Sequence, residues 1–556
     1  MIADNNTPPL RRILNLVKLE RRNIRFLYAY AIISGALSLS IPLGIQALMG
    51  LVLGGRLSSG WFILVLLVVL AVIVAGISRL AQMSILENIQ RKLFVRNAFE
   101  FASRLVHSRL ARRFPSLVEL AEKFLDVITV QKSFSKLVLD FTASVLQIAF
   151  GVLLLIIYHE AFILFAGILV LIVFVALRLS WQRGIESARA ESDYKFKTAW
   201  WLTEIAQNKY TFRLKSDHGF HLSRTDDYLK GYVHSRSEHF KVLYSQARLA
   251  IFLKVFLTAA LLIMGSILLV EQKISLGQFL ASEILVITLL DAVEKLILTV
   301  ENIYDCGIAL EKLGFVTDED AQEHTGLDIS LKSAPDLCFR NPISGEIINL
   351  LKNGEDLGIC GYRGTGRTAV LKTILGEHHP ALSVQINQIP ATNYNLEKLG
   401  NHVGLCLQNS GLYEGTLLQN ITMGQETYMD HVTELLDALS LNEYVGSLNM
   451  GYNHRFELNA SVPDNVQKKI PLARALYGSP PMVLIDDIWT SFDRVEMKKI
   501  LTYLKKIDST LVIVSNYLPV LQAMDQLMFV DQAGFRNPGS IDTALSQSDI
   551  QNIIWK

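Results

Sequence analysis

Leu357-Gly-Ile-Cys360-Gly361-Tyr-Arg-Gly364-Thr-Gly366-Arg367-Thr368 is the stretch on which the reading of this 556-residue chain turns. The apolar run Leu357–Cys360 predicts a strand, the glycines a tight turn, and Thr368–Leu375 a helix. The spacing fits the phosphate-loop pattern G-x-x-x-x-G-K-[ST]. In that pattern glycines let backbone N–H groups curl round phosphates, the helix start adds partial positive charge, and the hydroxyl holds Mg²⁺. Arg367 stands where Lys belongs. It keeps the charge, but its forked guanidinium is bulkier than an ammonium and is not a conservative exchange in a tight cradle.

Outward from this loop, 327–556 alternates strand-like runs (Leu357–Cys360, Val403–Leu407, Met482–Ile485, Leu511–Val514) with helical ones (Thr368–Leu375, Val432–Leu439, Val466–Tyr477, Arg494–Leu504). That alternation predicts one α/β domain with a largely parallel sheet. The run Met482–Ile485 ends in Asp486-Asp487, as a Walker B strand does when its first Asp positions Mg²⁺.

The first half is of another class. The chain is 51% hydrophobic and 19% charged, with a mean hydropathy of +0.31, which argues against a wholly soluble or disordered protein. Net charge is +1, so no global basic field points to nucleic acid. Apolar stretches of spanning length recur at about 24–50, 61–85, 136–158, 160–180, 247–270 and 277–299, predicting six crossings. Lys and Arg concentrate in the polar residues 1–23 and in 90–135 and 181–246, whereas the opposite loops contribute only Arg56 and Lys273. By the positive-inside rule, both termini and the two long loops face the cytoplasm. Helical periodicity in those loops (Phe94, Ala98, Phe101, Leu105) predicts membrane helices extended into cytoplasmic stalks. The organisation expected is a polar segment 1–23, a six-helix membrane domain 24–316, a linker 317–326 and the α/β domain 327–556. The four cysteines contain no C-x-x-C pair and read as packing residues in a reducing compartment.

Six membrane helices followed by one nucleotide-binding domain resemble the half-transporter layout of the ATP-binding cassette (ABC) exporters. Phosphate loop, Leu472-Ala-Arg-Ala-Leu476 and Walker B strand fall in that family's order along almost the whole chain. The pattern near Leu43-Gly-Ile-Gln-Ala47 resembles the type I secretion branch. The resemblance implies that Gly361, Gly364, Gly366, Arg367, Thr368, Gln408 and Asp486 bind ATP. It makes Thr368, Gln408 and Asp486 the Mg²⁺ set, Gln408 the Q-loop, and Asp493, in Thr490-Ser-Phe-Asp493, the D-loop residue. Gly451-Tyr452 with Glu457 matches the segment before the signature, one residue short.

Four further positions depart from the family. The signature Leu-Ser-Gly-Gly-Gln is replaced by Val462-Pro463-Asp464-Asn465-Val466; Pro463 lacks an N–H and Asp464 brings negative charge toward phosphate. The catalytic glutamate position is Asp487, one methylene shorter. The switch histidine position is Asn516, which can bond a phosphate but cannot carry a proton charge. The aromatic expected against adenine, near Phe339-Arg340-Asn341, is absent. Since each ATP in this family lies between the Walker residues of one cassette and the signature of the other, both sites of a homodimer carry every defect. An intact heterodimer partner would leave both sites damaged as well.

The expectation is therefore an inner-membrane ABC exporter subunit, paired with itself or another half-transporter, whose ATP hydrolysis is weak or lost. The alternative is a non-hydrolysing structural or regulatory pseudo-ATPase subunit. The secretion branch implies a periplasmic adaptor and an outer-membrane channel as further partners. In the membrane half, Lys254 and Asp291 fall at similar depth. They read either as a buried ion pair or as two charges hydrated at the interface. Trp200 and Trp201 are expected to pack the stalk or dock the cassette.

Overall fold

A computed structural model describes residues 9–53, 59–107, 117–214, 219–317, 326–328, 330, 331, 333–352, 354–457 and 461–555. Most of the expected linker 317–326, with Arg56, Arg109, Arg112, Arg113 and Lys215 of the charge argument, lies outside them. The chain divides into two units, 1–322 and 323–556.

The first unit is helical. Its long helices are Ser59–His107, Ala161–Gln207, Phe220–Val270 and Leu276–Thr317, of 49, 47, 51 and 42 residues. At 1.5 Å per residue they reach roughly 63–77 Å, about twice a hydrocarbon layer, so each is long enough for a stalk as well as a span. Among the described residues five stretches are long and apolar enough to cross a membrane: Arg21–Val52, Ser59–Val106, Glu119–Tyr158, Phe162–Gln207 and Phe220–Val270. The sixth expected crossing, 277–299, falls in Leu276–Thr317, where Leu285, Val286, Leu289, Leu290, Val293 and Ile297 are buried against the other helices. Its partly exposed face carries Glu283, Asp291 and Glu294.

Two continuous apolar runs prove to be interrupted. The run 24–50 splits into Arg21–Ser38 and Ser40–Leu53, with the Leu39 N–H turning back to Ala36 O at 3.2 Å. Pro42, lacking an N–H and fixed in φ, starts the second helix, as proline does in a first turn. The run 136–158 contains a π-turn, Leu137–Phe141, between Asp126–Lys136 and Thr142–Tyr158. The polar N-terminal segment also holds an amphipathic helix, Pro9–Leu19, whose Ile13, Leu16 and Val17 join a cluster with Leu313 and Val316. Trp201 is buried in the stalk and donates its indole N–H to Thr225 Oγ1 at 3.0 Å. Lys254 bonds both Asp291 Oδ1 (2.7 Å) and Glu294 Oε2 (3.2 Å), and all three side chains keep 36–58% of their surface.

The second unit is built on two sheets. The strands are β1 (Leu337–Arg340), β2 (Ile347–Leu351), β3 (Leu357–Gly361), β4 (Ser383–Ile386), β5 (Ile389–Pro390) and β6 (Val403–Cys406). After them come β7 (Gly415–Thr416), β8 (Arg455–Phe456), β9 (Met482–Asp486), β10 (Thr510–Val514), β11 (Gln526–Asp531) and β12 (Gly534–Arg536). The central sheet runs β12-β11-β3-β10-β9-β6, parallel except for the β11–β12 hairpin. Strands β3, β9 and β10 are buried on both faces, which is why they read as unbroken apolar runs. A second, antiparallel sheet, β2-β1-β4-β5, was not expected, and it packs beside the central one through Leu337, Phe339, Leu351 and Ile386. All four cysteines are free and buried, and burial pushes the Cys360 and Cys406 thiols up to about 12, so they pack and do not react.

Candidate functional site

The phosphate loop joins β3 to the helix Arg367–Ile374. Gly361 ends β3 with φ +156°, and a Cβ there would lie 2.1 Å from Val530 O on neighbouring β11, so only glycine lets the two strands pair. Gly364 and Gly366 take φ +83° and +99°, and a Cβ on Gly364 would meet nothing within 4 Å, so the loop is open on that side. The helix starts at Arg367, leaving its first N–H groups without intrahelical acceptors.

Facing this loop are the ends of β9 and β10. Thr368 Oγ1 donates to Asp486 Oδ2 at 2.8 Å, tying the two candidate Mg²⁺ ligands together. Burial holds the Asp486 carboxyl above its ordinary range, and the neighbouring Asp487 charge adds to this, while the Thr368 hydroxyl and Arg367 oppose it. Asp487 follows in the left-handed region, φ +41°, with its N–H on Val514 O at 3.0 Å. Its side chain turns to the phosphate loop, where Arg367 Nη2 meets Asp487 Oδ2 at 3.3 Å, the two side chains 10% and 7% exposed. Two substituted positions thus form an ion pair with each other. Arg367 Nη1 and Asp487 Oδ1 remain buried without a partner among the described residues.

Asn516, expected to offer its amide to a phosphate, is committed elsewhere. Its Oδ1 accepts from Gly361 N–H at 3.2 Å and its Nδ2 donates to Gly361 O at 3.1 Å. Immediately beyond it, Trp555 N–H donates to Asn516 O (2.7 Å), Leu518 N–H to Trp555 O (2.8 Å), and the Arg363 guanidinium lies 5.2 Å from the Trp555 ring. Phe339 is fully buried in β1 and Asn341 Oδ1 closes a turn onto Ile343 N–H, so neither presents a stacking face to a base.

The signature position does open a helix, Asp464–Leu476, with Pro463 at its N-cap and Val462 and Val466 buried below. Asp464 accepts from the Ser491 hydroxyl, and Asn465 Oδ1 bonds Val466 N–H at 2.9 Å. Asp493 caps the next helix, Arg494–Leu504, in a reciprocal box with Glu496: its Oδ1 accepts from Val495 and Glu496 N–H, each at 2.8 Å.

Three residues without an assigned role join these parts. Lys468 Nζ bonds the carbonyl of Gln408, linking the Q-loop to the signature helix. Lys469, 1% exposed, pairs with Glu496 and so ties that helix to the D-loop cap. Arg474 donates to Asn420 O (2.7 Å) and Gly411 O (3.2 Å) beneath Tyr413. Only the buried cation inside an otherwise apolar helical face, Lys469 between Val466 and Ile470, could have signalled this in the sequence.

The donor set fits a phosphate-bearing ligand: an open glycine loop, a helix start and a buried guanidinium with one nitrogen unused. Residues 347–490 match the sequence model of the ABC transporter family. The transport/processing ATP-binding protein ComA of Streptococcus pneumoniae is 23% identical over 343 residues, covering 58% of this chain and 46% of that protein. The alpha-hemolysin translocation ATP-binding protein HlyB of Escherichia coli O157:H7 is 23% identical over 305 residues, covering 51% and 43%. The chain thus spans about half the length of the curated relatives it matches. The solved structure of a bacterial Atm1-family ABC exporter with ATP bound superposes with a TM-score of 0.79 at 16% identity, over 95% of this chain and 96% of that one. Residues 347–490 thus carry an ABC transporter domain, in a chain with the fold of an ABC exporter.

Proposed function

We propose that the chain is one subunit of a dimeric exporter in the inner membrane, its cassette and both termini cytoplasmic, in which ATP turnover is weak or lost. The observation that carries the weak turnover is the Arg367–Asp487 ion pair. The cation that should neutralise phosphate and the carboxylate that should activate water partly satisfy each other, one nitrogen and one oxygen being engaged, so each is held back from its part in turnover. ATP, when bound, would supply the energy of closing two cassettes. Gly364, Gly366 and the first N–H groups of Arg367–Ile374 would hold its phosphates, Gly361 being committed to Asn516, and Thr368, Gln408 and Asp486 would hold Mg²⁺. Names given to the relatives, transport/processing and hemolysin translocation, support a secretion role, and with it a periplasmic adaptor and an outer-membrane channel.

A second reading, a non-hydrolysing structural subunit, draws on the signature position. Pro463 removes one donor, and Asp464 sets a carboxylate at the helix start where phosphate oxygens would be gripped. ATP turnover by the full-length protein in lipid decides between them, with Asp487→Ala and Thr368→Ala alongside. Turnover abolished by Asp487→Ala supports an active, slowed exporter; binding lost in Thr368→Ala with no turnover at any substrate supports the structural subunit.

A further inference from the structure

We propose that the phosphate loop of this cassette is a diphosphate site, taking ADP at least as tightly as ATP, because Asp487 already occupies, in charge and in contact, the place of a third phosphate. The inference rests on the reading above only in that the cassette is taken to bind nucleotide.

In a phosphate loop the cation at the Arg367 position reaches the β- and γ-phosphates, while the backbone N–H groups cradle the phosphates nearer the nucleoside. The cradle is intact here: Gly364 and Gly366 hold the left-handed backbone that the loop needs, and the loop is open at Gly364. The outer part is not. Arg367 Nη2 is spent on Asp487 Oδ2, inside a pair whose side chains are 10% and 7% exposed, so solvent screens little of the contact. Among the described residues Arg367 Nη1 is a buried donor without a partner, available to a phosphate oxygen.

Charge points the same way. Asp486 and Asp487 are neighbours at the end of β9, the first bonded by the Thr368 hydroxyl and the second by the Arg367 guanidinium. Asp487 Oδ1 is a further buried acceptor with no donor among the described residues. A γ-phosphate brought beside it would add like charge and would have to compete with the carboxylate for the same guanidinium. A β-phosphate needs only the cradle and the free Nη1. The γ-phosphate, which tightens binding where the cation is free, contributes nothing or detracts here.

The test is direct titration of the full-length protein in lipid nanodiscs with ADP and with ATP, with Mg²⁺, by calorimetry. Wild type is expected to bind ADP as tightly as or tighter than ATP. Asp487→Asn, which keeps the shape and releases the guanidinium, is expected to tighten ATP at least tenfold and ADP less than threefold, reversing the order. Should that variant fold poorly, the wild-type thermal shift decides alone: ADP must raise the melting temperature at least as much as equimolar ATP. The proposal is overturned if wild type binds ATP tenfold tighter than ADP, if the order is the same in Asp487→Asn, or if neither nucleotide binds. Tight ATP binding with slow turnover would sink the diphosphate site and leave the weak exporter standing. ADP preference with rapid turnover would do the opposite.

Discussion

Lys469 offers the sharpest test of how the cassette is held together. It is 1% exposed and its ammonium pairs with Glu496, whose side chain is 19% exposed and which also accepts the Asp493 N–H at 3.3 Å. Lys469→Met keeps the length of the side chain and removes the charge, leaving a carboxylate in a largely dry site. Removing one member of a buried pair costs about 3–5 kcal/mol; Glu496 keeps a hydrogen bond and some water, so the lower end, about 3 kcal/mol, applies. For a domain of this size each kcal/mol moves the melting temperature by roughly 2–4 °C, giving a fall of about 6–12 °C. Replacing both members, Lys469→Met with Glu496→Gln, leaves no uncompensated charge and should recover most of that. The readout is exposure of the buried thiols Cys338, Cys360 and Cys406 to a fluorogenic maleimide during heating, in a Cys306→Ser background so that only the cassette reports. A single variant melting within 2 °C of wild type, or a double variant as low as the single, would refute the reasoning.

Further outcomes follow from other contacts. Gly361→Ala should abolish folding of the cassette, since its Cβ would sit 2.1 Å from Val530 O, whereas Gly364→Ala, in open space at φ +83°, should cost only about 1–2 kcal/mol; thermal melts compare the two. Asp291→Asn should leave the melting temperature near wild type because Lys254 keeps Glu294 at 3.2 Å, while Asp291→Asn with Glu294→Gln should lower it; equal effects would refute the shared cation. Asp305, in the stalk part of its helix, has its carboxyl raised from 3.8 to about 6 by burial and by the charges of Glu301 and Glu191, against Lys195 and Arg236. A raised carboxyl contributes stability that is full below 3.8 and lost as pH rises through about 6, so wild type should lose more melting temperature between pH 5 and pH 7.5 than Asp305→Asn does.

What the sequence made legible is what local signals settle. The strand–turn–helix at 357–375 came within a residue of its bounds because apolar run, glycines and helical spacing agree over a dozen positions. The antiparallel sheet did not, since β1 pairs with β4 across the phosphate loop as well as with its neighbour β2, and strands of two to five residues carry no periodic signal of their own. The break at Leu39 and the π-turn at Leu137–Phe141 lie inside runs that are apolar on average; Ser38, Ser40, Pro42 and Asp140 mark them locally, but single polar residues do not end a run of spanning length. In the amphipathic helix Pro9–Leu19 the count of arginines masked the spacing of Ile13, Leu16 and Val17. At the site, each departure was visible alone, but Arg367 and Asp487 are 120 residues apart, and only the fold brings them within 3.3 Å.

That contact changes what the departures mean together. A group that a ligand is to engage has to stand unsatisfied without it, because relief of that unmet bonding is part of the binding energy. Here the groups at the departed positions are largely satisfied from within the chain. Arg367 is bonded to Asp487, the Asn516 amide to both backbone groups of Gly361, and Asp464 to Ser491. Reverting one member alone does not reopen the site. Glutamate at 487 would still present a carboxylate to the guanidinium, and lysine at 367 would still find one facing it. The two leftover atoms, Arg367 Nη1 and Asp487 Oδ1, mark where the self-satisfaction is incomplete, one donor and one acceptor. The donor can still engage an anion, while the acceptor beside it works against a second one. That asymmetry arises from the paired arrangement of positions 367 and 487 and cannot be read from either residue alone.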